Sequence, residues 1–212
     1  MPKAWIQDRK RDYYYKKAKE EKYRSRAVYK LFQVIRKYHF IERGDVVIDL
    51  GAAPGGWVQA ARKAVGNRGF VLGVDLKPME PFPQHYVRTI LGDIREQETL
   101  PQIQEFLPRK ADVVVSDASP NISGIWEVDH ARQIDLAQEA LRIALETLRP
   151  SGNFFVKVFQ GDMLDDFVKK VRRHFETVML IKPEASRAKS SEMFVLAMHM
   201  KATEDSSSKA KL

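Results

Sequence analysis

Residues 46–57 read VVIDLGAAPGGW, an apolar run that ends in an acid and leads into a glycine-rich turn. Further apolar runs follow along the chain, and each is a predicted strand: 70–75, 87–91, 111–117, 153–159, 178–182 and 193–199. Helical patterns separate them near 58–64, 96–106, 131–148 and 163–175. Because the runs are continuously apolar rather than alternating, they favour a mainly parallel sheet that helices cover on both faces. The sequence therefore predicts a doubly wound α/β domain.

Local signals predict two of the helix ends. A helix is expected to begin after Ser25, whose side chain is a suitable N-cap for apolar positions that follow at helical spacing, Val28, Leu31, Phe32 and Ile35. The helix near 131–148 is expected to end at Pro150-Ser151-Gly152, because proline and glycine do not continue a helix.

The positive charge of the chain is concentrated near its N-terminus. The net charge is +8, and residues 1–30 hold eleven Lys or Arg against four Asp or Glu, a net charge of +7. Six aromatic residues are interleaved with them: Trp5, Tyr13, Tyr14, Tyr15, Tyr23 and Tyr29. Because basic residues release counterions from phosphates and aromatic rings stack on unpaired bases, residues 1–24 are predicted to be a nucleic-acid-binding arm. A solvated charged helix, or an arm that binds an acidic protein, is the alternative.

Length and composition limit the other possibilities. Residues 25–200 are long enough for one domain, and the polar residues 201–212 are predicted to be a disordered tail. The chain has no Cys and its five His residues are scattered, so neither a disulfide nor a metal site is expected. No apolar run approaches the roughly 18 residues of a membrane span. We therefore expect a cytoplasmic protein that does not bind membranes.

Acidic residues end four of the predicted strands: Asp49, Asp75, Asp93 and Asp117. The carboxyl ends of parallel strands lie at one edge of a sheet, where ligands bind. An acid at the end of the second strand is suited to both hydroxyls of a ribose. The turn after Asp49 lacks the Gly-x-Gly-x-x-Gly spacing of dinucleotide sites, so a nicotinamide dehydrogenase is disfavoured. The pattern predicts a nucleoside-type pocket.

A lysine lies inside one of the apolar runs. Lys157 is in the run 153–159, on the strand face that it shares with Phe155 and Phe159. A buried amine needs a partner or a function. The alternative is a lysine near the strand end whose head group reaches water along its stem.

Seven segments together resemble the FtsJ/RrmJ family of RNA ribose 2′-O-methyltransferases: 25–31, 49–57, 74–76, 92–94, 116–121, 156–161 and 186–192. Each segment is of modest specificity, but the whole set in this order is highly specific. The resemblance covers nearly all of residues 5–200. It implies the Rossmann-like fold of S-adenosylmethionine-dependent methyltransferases, with a mostly parallel seven-stranded sheet and helices on both faces.

The resemblance also implies roles for individual residues. The family's catalytic Lys-Asp-Lys-Glu tetrad falls on Lys30, Asp117, Lys157 and Glu192. The implied contacts to S-adenosyl-L-methionine fall on Asp49, Gly51, Gly55, Gly56, Trp57, Asp75, Leu76, Asp93, Ile94 and Asp117. The region of Gly55 and Trp57 would hold the methionine end, Asp75 the ribose and Asp93 the adenine.

The implied activity is 2′-O-methylation of a uridine in large-subunit (23S-type) ribosomal RNA, by a monomer that acts on the RNA alone or within the subunit. Methylation of the tRNA anticodon loop is the alternative. Gly51-Ala52-Ala53 and Gln160 favour the ribosomal type, because the tRNA type more often has Cys-Ala-Ala and an Arg at the Gln160 position. Ser191 departs from the bacterial pattern, which tends to have Arg before the catalytic Glu. A non-catalytic RNA-binding scaffold is disfavoured because all four tetrad positions are filled.

Overall fold

A seven-stranded sheet forms the centre of the computed structural model, which describes residues 12–187 and 189–202. In these residues the strands are β1 Val46–Leu50, β2 Phe70–Asp75, β3 Val87–Leu91, β4 Ala111–Ser116, β5 Leu148–Phe159, β6 Phe175–Ile181 and β7 Glu192–Met200. Their order is β3-β2-β1-β4-β5-β7-β6, and β7 runs antiparallel to both of its neighbours while the other neighbouring pairs are parallel. The predicted α/β fold with a mostly parallel seven-stranded sheet is confirmed.

Helices cover both faces of this sheet. They are α1 Tyr13–Glu20, α2 Val28–Tyr38, α3 Gly56–Val65, α4 Thr99–Phe106, α5 Trp126–Thr147 and α6 Leu164–His174, with a short 3₁₀ helix at Gly66–Arg68. Residues of α4, α5 and α6 pack with Ile48 on one face, whereas residues of α2 and α3 pack with Val47 on the other. Because both faces of the central strands are buried, their sequences are continuously apolar. None of the described helices is long and apolar enough to cross a bilayer.

The start of α2 differs from the prediction. Its N-cap position is Ala27, and no side chain accepts a hydrogen bond there, so the prediction that Ser25 caps the helix is wrong. The Ser25 side chain instead packs against the glycine-rich turn, where a Cβ added to Gly56 would lie 2.1 Å from Ser25 Oγ. The packing of the turn therefore determines the conformation of Ser25, and local capping preference does not.

The end of α5 also differs from the prediction. The helix ends at Thr147 and β5 begins at Leu148, so Pro150-Ser151-Gly152 lies within the strand segment rather than after a longer helix. The register between β4 and β5 shifts there, because Ala111 pairs with Leu148 but Val113 pairs with Asn153. The intervening residues form a bulge. Pairing with β4 thus ends the helix earlier than the proline does.

The predicted arm is only partly described, since residues 1–11 lie outside the described part of the chain, as do residues 203–212 of the predicted tail. In the described part, Asp12 caps α1 and forms an ion pair with Arg26. The ring of Tyr14 lies 5.4 Å from that of Tyr29, between centroids. Part of the aromatic content of the arm therefore packs on α2.

Candidate active site

One cleft lies beyond the carboxyl ends of β1 to β4 and has a volume of about 650 Å³. It is lined by six of the ten residues that were expected to contact a cofactor: Gly51, Asp75, Leu76, Asp93, Ile94 and Asp117. The loop between β4 and α5 adds Ser119, Pro120 and Asn121. Since parallel strands end at one edge of the sheet, three of the four strand-end acids line a single cleft. Their part in binding a cofactor stays a prediction.

Asp75 is held in place by two backbone amides. Its Oδ2 accepts a hydrogen bond from the Ala53 amide at 2.9 Å, and its Oδ1 accepts one from the Lys77 amide at 2.8 Å. A carboxylate oxygen has two lone pairs, so each oxygen retains one acceptor position. A pair of fixed acceptors of this kind suits two neighbouring hydroxyl groups.

Asp93, which also lines the cleft, forms an ion pair with Arg95. The Arg95 guanidinium lies 2.5 Å from Asp93 Oδ2 and lowers the pKa of that carboxyl. The Thr99 hydroxyl donates to the Asp93 backbone oxygen at 2.6 Å and holds the loop against α4. The Arg95 side chain is largely exposed, so it is free to move when a ligand competes for Asp93.

Asp49 lies fully buried at the end of β1. Among the described residues, neither of its carboxyl oxygens has a hydrogen-bond partner of normal geometry. Burial raises the pKa of Asp49 well above its usual range, and the nearby carboxylates of Asp117 and Asp75 add to this rise, while the Val58 amide opposes it. A buried acid without a partner is costly, so this position favours a cationic or hydrogen-bond-donating group nearby.

We expect the stability of the ligand-free protein to report this raised pKa. An acid whose folded pKa is raised destabilises the fold as the pH rises from the unfolded value of about 3.9 through the folded value. Asp49→Asn removes this effect, so the variant should gain stability relative to wild type as the pH rises. We expect the Tm of the variant minus that of wild type to be about 3 °C larger at pH 8 than at pH 4, which corresponds to about 1 kcal/mol of unfolding free energy. Thermal melting by circular dichroism at both pH values measures this difference. A difference in Tm that is the same at both pH values would contradict the expectation.

Gly55, Gly56 and Trp57 lie outside the lining of the cleft. The Trp57 ring is buried and stacks on Phe155, with 5.4 Å between ring centroids, and its Nε1 donates to the Ala27 oxygen at 2.8 Å. Gly55 has a φ of +107°, which favours glycine. This part of the turn therefore packs α3 against the segment before α2. A contact between Gly55, Gly56 or Trp57 and a cofactor stays a prediction.

Arg24 has a structural role that the sequence did not indicate. Its guanidinium donates to the backbone oxygens of Glu80 at 2.7 Å and Pro81 at 3.1 Å, and it lies 3.8 Å above the centre of the Phe82 ring. The same side chain also lies beside Gly55. Arg24 therefore holds the loop between β2 and β3 against the glycine-rich turn. In the sequence it is one of many basic residues of the arm.

The four tetrad residues converge at one end of the cleft, from α2, the end of β4, β5 and β7. Lys30 Nζ lies 2.7 Å from Glu192 Oε2 and 3.7 Å from Asp117 Oδ2. Lys157 Nζ lies 3.3 Å from Asp117 Oδ1 and donates to the Asp117 backbone oxygen at 2.8 Å. Asp117 thus lies between the two amines and also lines the cleft.

The charges within this group stabilise one another. Burial on its own would raise the pKa of Asp117, but the Lys157 and Lys30 ammonium groups outweigh it and lower the pKa. All four side chains are mostly buried, with exposed fractions between 7% and 17%. In a site of low exposure, ion pairs hold their partners at defined positions.

Residues 23–200 match the sequence profile of the FtsJ-like methyltransferase family. The chain belongs to this family. Among its relatives, the ribosomal RNA large subunit methyltransferase E of Methanocaldococcus jannaschii is 54% identical over 198 residues, which cover 92% of this chain and 81% of the relative. The protein of the same name from Methanothrix thermoacetophila is 56% identical over 186 residues, or 88% of this chain and 71% of the relative.

Solved structures share the fold of this chain. A protein described as a ribosomal RNA methyltransferase from Plasmodium falciparum superposes with a TM-score of 0.75 at 25% identity, over 85% of this chain and all of that one. Fibrillarin from Aeropyrum pernix superposes with a TM-score of 0.54 at 17% identity, over 83% of this chain and 75% of that one. The second similarity concerns the fold alone.

In this FtsJ-like chain, two further residues hold the tetrad in place. The Ser186 hydroxyl donates to Glu192 Oε1 at 2.8 Å, on the carboxylate that also binds Lys30. The Gln133 amide of α5 donates to the Lys157 backbone oxygen at 3.0 Å and to that of Ala118 at 3.2 Å. Ser186 lies in a segment that resembles the family. Nothing in the sequence distinguishes Gln133 from the other polar residues of its predicted helix.

Proposed function

We propose that this protein transfers a methyl group from S-adenosylmethionine to the ribose 2′-hydroxyl of a uridine in large-subunit ribosomal RNA, as a monomer in the cytoplasm. One observation carries the proposal. Asp117 lines the nucleoside-sized cleft and also contacts both lysines of the tetrad. A cofactor site and a group of amines and acids therefore share one residue, which is the arrangement that a transfer reaction between two bound molecules needs.

The residues of the cleft fit S-adenosylmethionine. The cofactor has a ribose diol, and Asp75 offers two fixed acceptors in the cleft wall. It also has an ammonium group and a sulfonium, and Asp49 is a buried acid close to Asp75 and Asp117, which line the cleft. Asp93 and Ile94 would flank the adenine. When bound, the cofactor supplies an electrophilic methyl group.

The tetrad would align and deprotonate the hydroxyl. Lys157 would first lose a proton to solvent, and its neutral amine would then orient the 2′-oxygen and accept its proton while that oxygen bonds to the methyl carbon and the carbon–sulfur bond breaks. Asp117, which lines the cleft, holds the Lys157 amine beside it. Lys30 and Glu192, bound to each other at 2.7 Å, position the ribose. Because each of the four groups already lies within hydrogen-bonding or ion-pair distance of another, the tetrad itself needs little rearrangement.

Two observations support ribosomal RNA as the substrate. The relatives that cover most of this chain bear the name of a large-subunit ribosomal RNA methyltransferase. The chain has a net charge of +8, most of it in residues 1–30, which suits a large polyanion.

Mapping of 2′-O-methyl groups tests the proposal. We expect large-subunit ribosomal RNA from cells without this protein to lack one 2′-O-methyluridine, and the purified protein to restore it with tritiated S-adenosylmethionine. Loss of a methyl group from a tRNA anticodon loop instead would support the alternative substrate. An absence of incorporation into either RNA would indicate a non-catalytic scaffold.

We expect residues 1–11 to strengthen RNA binding. They include Lys3, Arg9, Lys10 and Arg11, and their removal spares the Asp12 ion pair with Arg26. The variant should bind ribosomal RNA about 10-fold more weakly, and the slope of log K against log salt should fall by about 0.7 for each phosphate contact that is lost. Filter binding at several salt concentrations measures both quantities.

Removal of residues 203–212 is the matched control, because that segment has two acidic and two basic residues and no net charge. An unchanged affinity and salt slope after removal of residues 1–11 would show that the arm does not take part in RNA binding.

A further inference from the structure

The loop between β4 and α5 continues from the cleft into an exposed apolar segment. Ser119, Pro120 and Asn121 line the cleft, and the next large residues are exposed: Ile122 by 63%, Ile125 by 58% and Trp126 by 44%. Single exposed apolar residues are common in proteins, but a run of them beside a reactive site indicates contact with another molecule.

The Trp126 ring is exposed and is also held in a defined orientation. It stacks on His130 with 5.9 Å between centroids and 22° between planes, and on Phe159 with 6.0 Å and 24°. His130 is fixed in turn, because its Nε2 accepts a hydrogen bond from the Met163 amide at 3.1 Å. The ring of His130 also lies directly against Gly161, where an added Cβ would approach it to 2.6 Å. Trp126 is therefore the outer ring of a rigid aromatic stack.

This stack lies beside the catalytic lysine. Phe159 is the last residue of β5 and lies two residues after Lys157, about 7 Å further along the strand. Helix α5, which begins at Trp126, also contacts the backbone of Lys157 through Gln133. A molecule on the Trp126 ring would thus be next to a ribose whose hydroxyl meets the Lys157 amine.

We propose that Trp126 is the platform on which an unpaired base adjoining the methylated ribose stacks. The proposal rests on the proposed function, because it takes RNA as the substrate. A flat, immobile and exposed aromatic ring is suited to the face of a base, and every base has such a face. Its position explains how the enzyme would present one particular hydroxyl to Lys157. The predicted arm would contact phosphates, which fix the position of an RNA but carry no information about one particular base.

Kinetics of Trp126→Ala and Trp126→Phe test this platform. With large-subunit ribosomal RNA from cells that lack the protein, Trp126→Ala should raise the KM for RNA about 10-fold, which corresponds to about 1.4 kcal/mol for one stacked base. The KM for S-adenosylmethionine should not change, and Trp126→Phe should retain most of the RNA affinity. Phe106→Ala is the matched control, because Phe106 is 46% exposed and lies at the far end of α4.

Tryptophan fluorescence gives a second readout that does not need methyl transfer. Trp57 is buried, so in a Trp5→Phe background RNA should quench mainly the emission of Trp126, and Trp126→Phe should abolish that quenching. An unchanged KM for RNA together with unquenched emission would overturn the platform. If wild-type protein transferred no methyl group in the same assay, the proposed function would fail instead, whatever the fluorescence showed.

Discussion

Replacement of Lys157 by methionine is expected to lower kcat for methyl transfer about 1000-fold, within the usual range for the loss of a general base. Methionine keeps the unbranched apolar stem but lacks the amine that donates to the Asp117 backbone oxygen. Arginine at this position should not restore activity, because a guanidinium stays protonated and cannot accept the proton of the hydroxyl. Single-turnover incorporation of tritiated methyl groups measures the rate directly.

Two controls separate a loss of chemistry from other losses. Equilibrium binding of S-adenosylmethionine to Lys157→Met should be close to that of wild type, because Lys157 does not line the cleft. Lys169→Met removes an exposed amine from α6 and should leave the rate unchanged. A near-normal single-turnover rate for Lys157→Met would exclude this lysine as the base.

Replacement of Asp117 by asparagine is expected to reduce both stability and activity. The carboxylate lies 3.3 Å from the Lys157 amine and 3.7 Å from the Lys30 amine, and its loss leaves Lys157 without its acidic partner. Removing one partner from a buried ion pair costs about 3 kcal/mol, or about 9 °C in Tm for a chain of this size. Asp162→Asn, at an exposed position, is the control and should melt like wild type.

The loss of stability in Asp117→Asn should depend on pH. The folded pKa of Asp117 is lowered, so its contribution to stability is complete above the unfolded value of about 3.9 and is lost as the pH falls through the folded value. The difference in Tm between wild type and variant should therefore shrink below about pH 4. A difference that persists unchanged at pH 2.5 would show that the charge of Asp117 does not stabilise the fold. Asp49 has the opposite dependence, because its folded pKa is raised.

Strand positions were predicted correctly on the parallel side of the sheet, even for the edge strand β3, which is partly exposed. The predicted runs 46–50, 70–75 and 87–91 coincide with β1, β2 and β3. The strands on the other side of the sheet were less well predicted, since β5 begins at Leu148 and β6 at Phe175. Their extra residues form strands because partners are available to pair with them, and pairing partners are not visible in a local pattern.

The glycine-rich turn shows a second limit of local patterns. Its small residues indicated close approach of the backbone to a ligand, but Gly55 and Gly56 approach Arg24, Phe82 and Ser25. A missing side chain makes room for whatever the fold brings near, and composition does not distinguish a ligand from another part of the chain. Arg24 is likewise ordinary in the sequence and acquires its role from three contacts with the loop between β2 and β3.

By itself the sequence determined the fold class, because apolar runs of strand length between helical patterns are compatible with few architectures. It also determined the family, because seven short segments occur in a specific order. Only the tertiary structure decided that Lys30 and Glu192, which are 162 positions apart, bind each other while Asp117 contacts both amines. The physical reason is that charge pairing acts through space at a few ångströms, and only the folded sheet brings those side chains within that distance.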